Sequence, residues 1–151
     1  MKIIVDSSII FSALLKQNSF ISDVLLRKKF DFVMPKYAYI ELFKYKDKIT
    51  RCSRHSEEEI LEILYKLLKN INIFDENLIA SNTLKKAYHL VKDIDEKDII
   101  FVALTIEVEG LLWTGDKKLV NGLQRKGFNR LCVIKGGQLM PVEPGNVPWT
   151  E

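Results

Sequence analysis

Short apolar runs and longer amphipathic stretches alternate along most of the chain. The opening run at residues 2–5 is rich in β-branched residues and ends at Asp6, which predicts a short strand. Similar runs predict strands at residues 31–34, 71–74, 111–113 and 131–134, although 71–74 is also compatible with a lead-in to the next element. Between these runs, apolar positions at helical spacing predict helices, at residues 9–16, 19–28, 35–41, 56–68, 78–91, 96–109 and 117–125.

This alternation indicates an α/β fold with a parallel sheet that is covered on both faces by helices. Right-handed crossovers place the C-terminal ends of all strands at one edge, and ligands bind at that edge in open α/β sheets. We expect residues 1–135 to form one domain and residues 136–151 to form a tail, to which the sequence assigns no role.

Composition excludes several classes of protein. The 151 residues are 47% hydrophobic and 28% charged, as expected for one globular domain with a buried core. The longest apolar stretch, residues 99–106, is far shorter than the ~20 residues that cross a bilayer, and Asp6 interrupts the N-terminal region before a signal peptide could form. Cys52 and Cys132 lack metal-ligand spacing, so we expect reduced thiols in a cytoplasmic protein without membrane contact.

The net charge of +3 is distributed unevenly. Residues 36–54 contain six basic and two acidic residues, and residues 117–135 contain six basic and no acidic residues. The rest of the chain has 11 basic and 18 acidic residues, a net charge of −7. This polarity suits a protein that binds a polyanion through its basic segments, and the alternative is that both segments are solvated helix surfaces.

Acidic side chains follow the predicted strands at the same edge of the sheet. Asp6 ends the first strand, Asp116 lies just beyond the strand at 111–113, and Glu41 and Asp98 lie on helices entered near this edge. Burying an acid such as Asp6 is costly unless it is paired or bound to a metal. Taken singly, Asp98 and the nearby Asp95 could be helix caps and Glu41 an exposed helix acid. Together, four converging carboxylates require a cation, and oxygen ligands select Mg²⁺ or Mn²⁺.

The segments that carry these acids resemble the acidic motifs of PIN-domain nucleases, such as VapC-like toxin ribonucleases. The resemblance rests on Asp6-Ser7-Ser8, on Glu41 within residues 39–44, on Asp98 within residues 95–104 and on Thr114-Gly115-Asp116. The motifs occur in the family's order, and the most specific part is the segment from Asp95 to Leu119. The resemblance to this family implies a three-layer α/β/α sandwich, similar to that of 5′-nucleases, with a central parallel sheet of four or five strands.

The resemblance also implies an activity, which is hydrolysis of RNA phosphodiester bonds with Mg²⁺ or Mn²⁺ as cofactor. Asp6, Glu41, Asp98 and Asp116 would be both the catalytic residues and the metal ligands, and Asp95 ranks below Asp98 as the ligand from its segment. Ser8 and Thr114 would be auxiliary polar residues, although Ser8 stands where many members have asparagine. Many members are toxins of toxin–antitoxin pairs, so an antitoxin protein is an expected partner, and we also expect a homodimer.

The basic segments would hold the RNA backbone in a sequence-independent, salt-sensitive manner. The candidates are Lys44, Lys48, Arg51, Arg54 and Lys117, with Tyr45 as the aromatic residue best placed to stack on a base. Two alternatives compete with this reading. An inactive PIN-like module that binds RNA or protein would have no reason to retain four acids. A phosphoacceptor domain needs a second acid near Asp6, and Ser7-Ser8 supplies none.

Overall fold

A computed structural model describes residues 1–15 and 20–143 of the chain. Six strands and eight helices, with two short 3₁₀ turns, occur in these ranges. The strands are β1 (Lys2–Val5), β2 (Asp31–Pro35), β3 (Ile71–Phe74), β4 (Leu111–Trp113), β5 (Leu131–Lys135) and β6 (Gln138–Pro141). The helices are α1 (Ser7–Leu15), α2 (Phe20–Leu25), α3 (Lys36–Lys44), α4 (Lys46–Cys52), α5 (Glu57–Lys69), α6 (Ser81–Val91), α7 (Ile99–Glu107) and α8 (Lys117–Arg125).

The strands form one sheet in the order β3-β2-β1-β4-β5-β6, in which the first five are parallel and β6 is antiparallel to β5. From β1 to β2 and on to β3, the chain moves across the sheet towards the β3 edge. From β3 to β4 and on to β5, it moves across the sheet towards the opposite edge. Right-handed crossovers therefore put α1–α5 on one face and α6–α8 on the other. This is the predicted three-layer α/β/α sandwich.

The core lies on both faces of the central strands. Ile4 is paired with Val33 on one side and with Leu112 on the other, and these residues are buried with Phe32. The chain enters β4 through Gly110, where an added Cβ atom would lie 2.5 Å from the carbonyl oxygen of Lys2. This close approach keeps β4 beside β1, and the ends of these two strands carry the candidate site.

The predicted segments differ from the structure in several details. Helix α1 begins two residues earlier than predicted, and α2 ends at Leu25; residues 16 and 19 of the two predicted helices lie outside the described ranges. The basic segment after Glu41 is partly helical, as α4, rather than a loop. The predicted helix at 96–109 divides into a 3₁₀ turn at Glu96–Asp98 and the helix α7. The capping box at Ser56 is confirmed.

The segment predicted as a tail begins with a strand. β5 and β6 form a hairpin, in which Ile134 pairs with Leu139, and Gly136 and Gly137 connect the strands with φ angles of 60° and 73°. Two adjacent residues with positive φ favour glycine and suit the tight turn of a hairpin. The sheet therefore has a sixth strand beyond the four or five that were expected.

Candidate active site

The point where the strand connections reverse direction lies between β1 and β4. These neighbouring parallel strands end at Val5 and Trp113, and the backbone N–H of Asp6 donates to the Trp113 carbonyl oxygen at 3.0 Å. The residues that follow, Asp6 on one strand and Thr114 to Asp116 on the other, thus meet at the carboxyl edge of the sheet. Such a reversal point is the usual ligand-binding position of an open α/β sheet.

Asp6 is buried and held by two hydroxyl groups. Its Oδ2 atom accepts hydrogen bonds from Ser8 Oγ at 2.9 Å and from Thr114 Oγ1. Burial raises the pKa of the Asp6 carboxyl, and the hydrogen bonds from Thr114 and Ser8 act against that rise because they stabilise the ionised form. The two residues predicted as auxiliary, Ser8 and Thr114, therefore both contact this carboxylate.

Glu41 reaches the same region from α3. Its Oε1 atom accepts a hydrogen bond of 2.8 Å from Ser7 Oγ, and Ser7 is buried at the start of α1, next to Asp6 in the chain. Glu41 is one of the predicted ligands, whereas Ser7 had no predicted role at the site. The contact joins residues 34 positions apart, so only the packing of α1 against α3 brings it about.

Asp116 is joined to the same hydroxyl network through the backbone. Its N–H donates to Thr114 Oγ1 at 3.1 Å, and the N–H of Gly115 donates to Ser8 Oγ at 3.1 Å. The Asp116 side chain also caps α8, since Oδ1 accepts from the N–H of Leu119 at 3.2 Å. One carboxylate oxygen thus stabilises the helix terminus, where the helix dipole favours a negative charge.

Asp98 and Asp95 have different environments although they are only three residues apart. Asp95 is exposed and accepts from the N–H of Lys97 at 3.0 Å, so it caps the 3₁₀ turn. Asp98 precedes α7 but makes no capping hydrogen bond with its side chain. Its Oδ2 atom is buried and has no hydrogen-bond partner among the described residues. A buried carboxylate oxygen without a partner is costly, and it is a suitable ligand for a cation.

Electrostatics show that Asp98 shares its surroundings with the other acids. The pKa of its carboxyl is raised to about 7, first by burial and then by the negative charges of neighbouring carboxylates, which are Asp6, Asp95, Asp116 and Glu41. Like charges at short range favour the neutral form of at least one member. The four predicted ligands therefore face a common region of the sheet edge.

The carboxylates do not form a closed cage. In the described ranges, no group of three or more Asp, Glu, His or Cys side chains is gathered tightly enough to hold a metal ion as it stands. The carboxylates of Asp6 and Glu41 instead accept hydrogen bonds from hydroxyl groups. The carboxylate of Asp116 accepts one from a backbone N–H of α8.

Tyr37 is a further residue at this edge, and it was not among the predicted site residues. Its ring packs edge-to-face on Phe101, with the centroids 6.4 Å apart. Partial burial raises the pKa of the Tyr37 hydroxyl, and the charges of Glu41 and Asp98 raise it further, which places the phenol near both acids. The spacing of Tyr37 and Glu41, one helical turn apart on α3, was the available signal for this placement.

The predicted RNA-binding residues lie on two elements. Lys44 ends α3, Lys48 and Arg51 belong to α4, and Arg54 follows it; all four are exposed. Lys117 is the first residue of α8 and directly follows Asp116. The structure thus places basic residues both beyond Glu41 and beside Asp116, and their contact with RNA stays a prediction.

Comparison with known proteins decides the family. A family model described as PIN domain matches residues 4–134, a range that contains Asp6, Glu41, Asp98 and Asp116. The chain belongs to the PIN domain family. Proteins with PIN domains are generally nucleases, that is, hydrolases of phosphodiester bonds. The predicted family and fold class are thereby confirmed, and β6 lies beyond the matched range.

A solved structure supports the same fold for this PIN domain. The chain is similar to one in the crystal structure of VapBC2 from Rickettsia felis bound to a DNA fragment from their promoter, with a TM-score of 0.62 and 18% sequence identity. The match covers 80% of this chain and 92% of the other. No curated protein matches the sequence significantly. None of the helices in residues 1–15 and 20–143 has the length and apolar character needed to span a membrane.

Proposed function

We propose that this PIN domain is a divalent-metal-dependent endoribonuclease whose site is formed by Asp6, Glu41, Asp98 and Asp116. The observation that carries the proposal is the environment of Asp98. Its buried Oδ2 atom has no partner in the described ranges. Burial first, and then the negative charges of Asp6, Asp95, Asp116 and Glu41, raise the pKa of its carboxyl to about 7. A cation supplied to this edge would both provide the absent partner and relieve the repulsion.

The donor set fits Mg²⁺ or Mn²⁺, because all four groups are carboxylates and hard divalent ions prefer oxygen ligands. Asp95 is the weaker candidate, since it is exposed and already caps the 3₁₀ turn. The chemistry that such an ion supplies is a lower pKa of water and neutralisation of charge at the phosphate. We infer that hydrolysis by water leaves a 5′-phosphate and a 3′-hydroxyl.

The chain's own residues would orient the carboxylates and hold the substrate. Ser7 fixes Glu41, and Ser8 and Thr114 fix Asp6, so each of these acids keeps one orientation with respect to the sheet edge. Ligand orientation by such outer hydrogen bonds is a general feature of metal sites. Lys44, Lys48, Arg51, Arg54 and Lys117 would bind the RNA backbone without reading its sequence.

We further propose that an antitoxin protein is the partner of this chain. The support is the likeness in fold to a chain of the VapBC2 complex and the membership of the PIN domain family. The homodimer and the cytoplasmic location expected from the sequence stay predictions.

The alternative is an inactive PIN-like module that binds RNA or protein, and the absence of a closed carboxylate cage in the described ranges favours it. Incubation of the wild-type protein with mixed RNA substrates, with Mn²⁺ or with EDTA, separates the two functions. The nuclease proposal predicts new RNA 5′-phosphate ends with Mn²⁺ and intact RNA with EDTA. Intact RNA under both conditions, for a protein that still binds it, would establish the inactive module.

A further inference from the structure

A pocket of about 340 Å³ lies between α1 and α4, next to Tyr45 at the end of α3. Its lining is mainly apolar and aromatic and consists of Phe11, Leu15, Tyr45, Lys48, Ile49 and Cys52. We refer to it as the α1–α4 pocket. Its volume is at the lower end of the range for small-molecule sites, which are also mostly apolar with a few polar groups.

The α1–α4 pocket is one helical turn away from the candidate active site. Ser7 on α1 donates to Glu41 on α3, and the residues four positions later, Phe11 and Tyr45, form an edge-to-face pair with centroids 6.1 Å apart. Four residues of helix advance about 6 Å, so the aromatic pair follows the Ser7–Glu41 pair as the next layer between the two helices. A single nucleotide spans a similar distance.

Charge distinguishes what can occupy the pocket. The Lys44 ammonium lies 5.6 Å from the centroid of the Tyr45 ring, and Lys48 is part of the lining, whereas none of the described lining residues is acidic. Neither lysine forms an ion pair with another described residue. An aromatic wall with adjacent ammonium groups matches a nucleotide, whose base stacks on the Tyr45 ring and whose phosphate lies near the lysines.

We propose that the α1–α4 pocket binds the base of a nucleotide next to the scissile phosphate of RNA. This inference rests on the proposed nuclease function, because the carboxylate edge defines where the scissile phosphate lies. Base stacking on Tyr45 accepts any base, since every base has an aromatic face. The pocket would thus add affinity near the site without making cleavage strongly sequence-specific.

The test is binding of a fluorescein-labelled, single-stranded RNA of mixed sequence, measured by anisotropy in EDTA so that the RNA stays intact. Tyr45→Leu removes the ring, and Tyr45→Phe is the matched control that keeps it; Tyr45 is 40% exposed, so both variants should fold. We expect Tyr45→Leu to weaken binding about tenfold and Tyr45→Phe to stay within about twofold of the wild type. Because stacking is not ionic, the salt dependence should not change in either variant.

Cys52 provides a second, local readout. It is an exposed free thiol in the pocket lining, whereas Cys132 is buried with a raised pKa and so reacts slowly. Bound RNA should slow alkylation of Cys52 by N-ethylmaleimide in the wild type and in Tyr45→Phe, and much less in Tyr45→Leu at the same RNA concentration. Cys52→Ser identifies the signal from this thiol.

The outcomes separate this inference from the nuclease proposal. Equal RNA affinity of Tyr45→Leu and the wild type, with unprotected Cys52, would overturn the pocket assignment, even if the wild type cuts RNA with Mn²⁺; the pocket would then be free for an apolar side chain of a protein partner. Absence of RNA binding by the wild type would also overturn it. A ring-dependent affinity in a protein that never cuts RNA would support the pocket and contradict the nuclease.

Discussion

At the residue scale, three hydroxyl groups hold the acidic side chains of the site. Ser8 and Thr114 contact Asp6, and Ser7 contacts Glu41, while Asp98 has no such partner among the described residues. The positions of Asp6 and Asp116 could be predicted, because strand ends in a parallel sheet share an edge. The Ser7–Glu41 contact could not, because it depends on how two helices pack rather than on any local pattern.

The environment of Asp98 predicts a pH-dependent stability of the metal-free protein. Its pKa of about 7 in the folded state is higher than the ordinary value near 3.8, so the folded state binds more protons than the unfolded state between these values. The free energy of unfolding therefore falls as pH rises from about 4 to about 7. Asp98→Asn should remove this fall in the free energy of unfolding, because the asparagine side chain does not titrate.

We expect Asp98→Asn to be more stable than the wild type in EDTA at pH 8, by about 1 kcal/mol after allowance for solvent screening, or about 3 °C in melting temperature. The gain should shrink towards pH 5. Thermal melts of both proteins at the two pH values measure it, with Asp95→Asn as the exposed control. A difference that is equal at both pH values would show that the Asp98 carboxyl does not titrate in this range.

Ser7 offers a test of how Glu41 is positioned. Ser7→Ala removes the donor at 2.8 Å from Glu41 Oε1, whereas Ser7→Thr keeps a hydroxyl group. Loss of a hydrogen bond that orients a metal ligand typically lowers metal affinity or activity about 10- to 100-fold. We expect a loss of about tenfold in Mn²⁺ affinity, measured by calorimetry, for Ser7→Ala and a smaller loss for Ser7→Thr.

The control for this prediction is Ser12→Ala on the same helix, because no described carboxylate accepts a hydrogen bond from Ser12. Its Mn²⁺ affinity should equal that of the wild type. If Ser7→Ala and Ser12→Ala bind Mn²⁺ equally well, Ser7 does not position Glu41 for metal binding.

At the scale of elements, α4 and the β5–β6 hairpin were the features that the sequence analysis missed. The seven residues of α4 are mostly polar and give too short a pattern to show a helical period. The hairpin had a usable signal, since Gly136-Gly137 separates two runs that contain apolar residues. Neither element contributes any of the four acids, so missing them did not affect the choice of acids.

Helix α4 carries the prediction on substrate holding. Replacing Lys48, Arg51 and Arg54 by Ala should weaken RNA binding and reduce its dependence on salt, by about one unit of slope for each phosphate that the variant no longer neutralises. Cleavage at saturating RNA should suffer less, because these side chains would bind the ground and transition states about equally. Binding measured at two salt concentrations provides the slope.

A matched control is the replacement of Lys85, Lys86 and Lys92 by Ala. These exposed lysines lie in or directly after α6, on the other face of the sheet, and their replacement removes the same total charge. The slope of this variant should stay closer to that of the wild type. An unchanged slope in the α4 variant would mean that RNA runs elsewhere, for example along α8 with Lys117, Lys118 and Arg125.

At the scale of the whole molecule, the topology unites acids that are distant in sequence. β1 and β4 are neighbours although about a hundred residues separate them, and this pairing brings Asp6 to Thr114. The three layers and the parallel strands follow from alternating strands and helices with right-handed crossovers, so this part of the fold could be predicted, whereas the structure supplies the strand order. The surroundings of the individual carboxylates could not be predicted, since they depend on hydroxyl contacts that arise from the packing of side chains.

Metal binding should stabilise the whole fold. An ion that binds only the folded state raises the melting temperature, and the rise grows with the ion's concentration relative to its dissociation constant. We therefore expect Mg²⁺ or Mn²⁺ to increase the melting temperature of the wild type and to have a smaller effect on Asp6→Asn. Differential scanning fluorimetry over a metal titration measures this. A transition that stays unmoved at millimolar metal would argue against a site at this edge.

The most direct test of the proposed nuclease site is metal-dependent RNA cleavage by two variants with substitutions at nearby positions. Asp98→Asn and Asp95→Asn make the same chemical change three residues apart. Asp98 carries the buried Oδ2 atom that has no hydrogen-bond partner in the described ranges, and Asp95 is the exposed cap. With RNA and Mn²⁺, we expect Asp98→Asn and Asp116→Asn to lose cleavage with native circular dichroism, and Asp95→Asn to retain most of it. Full cleavage by Asp98→Asn, with loss in Asp95→Asn, would contradict the proposed site.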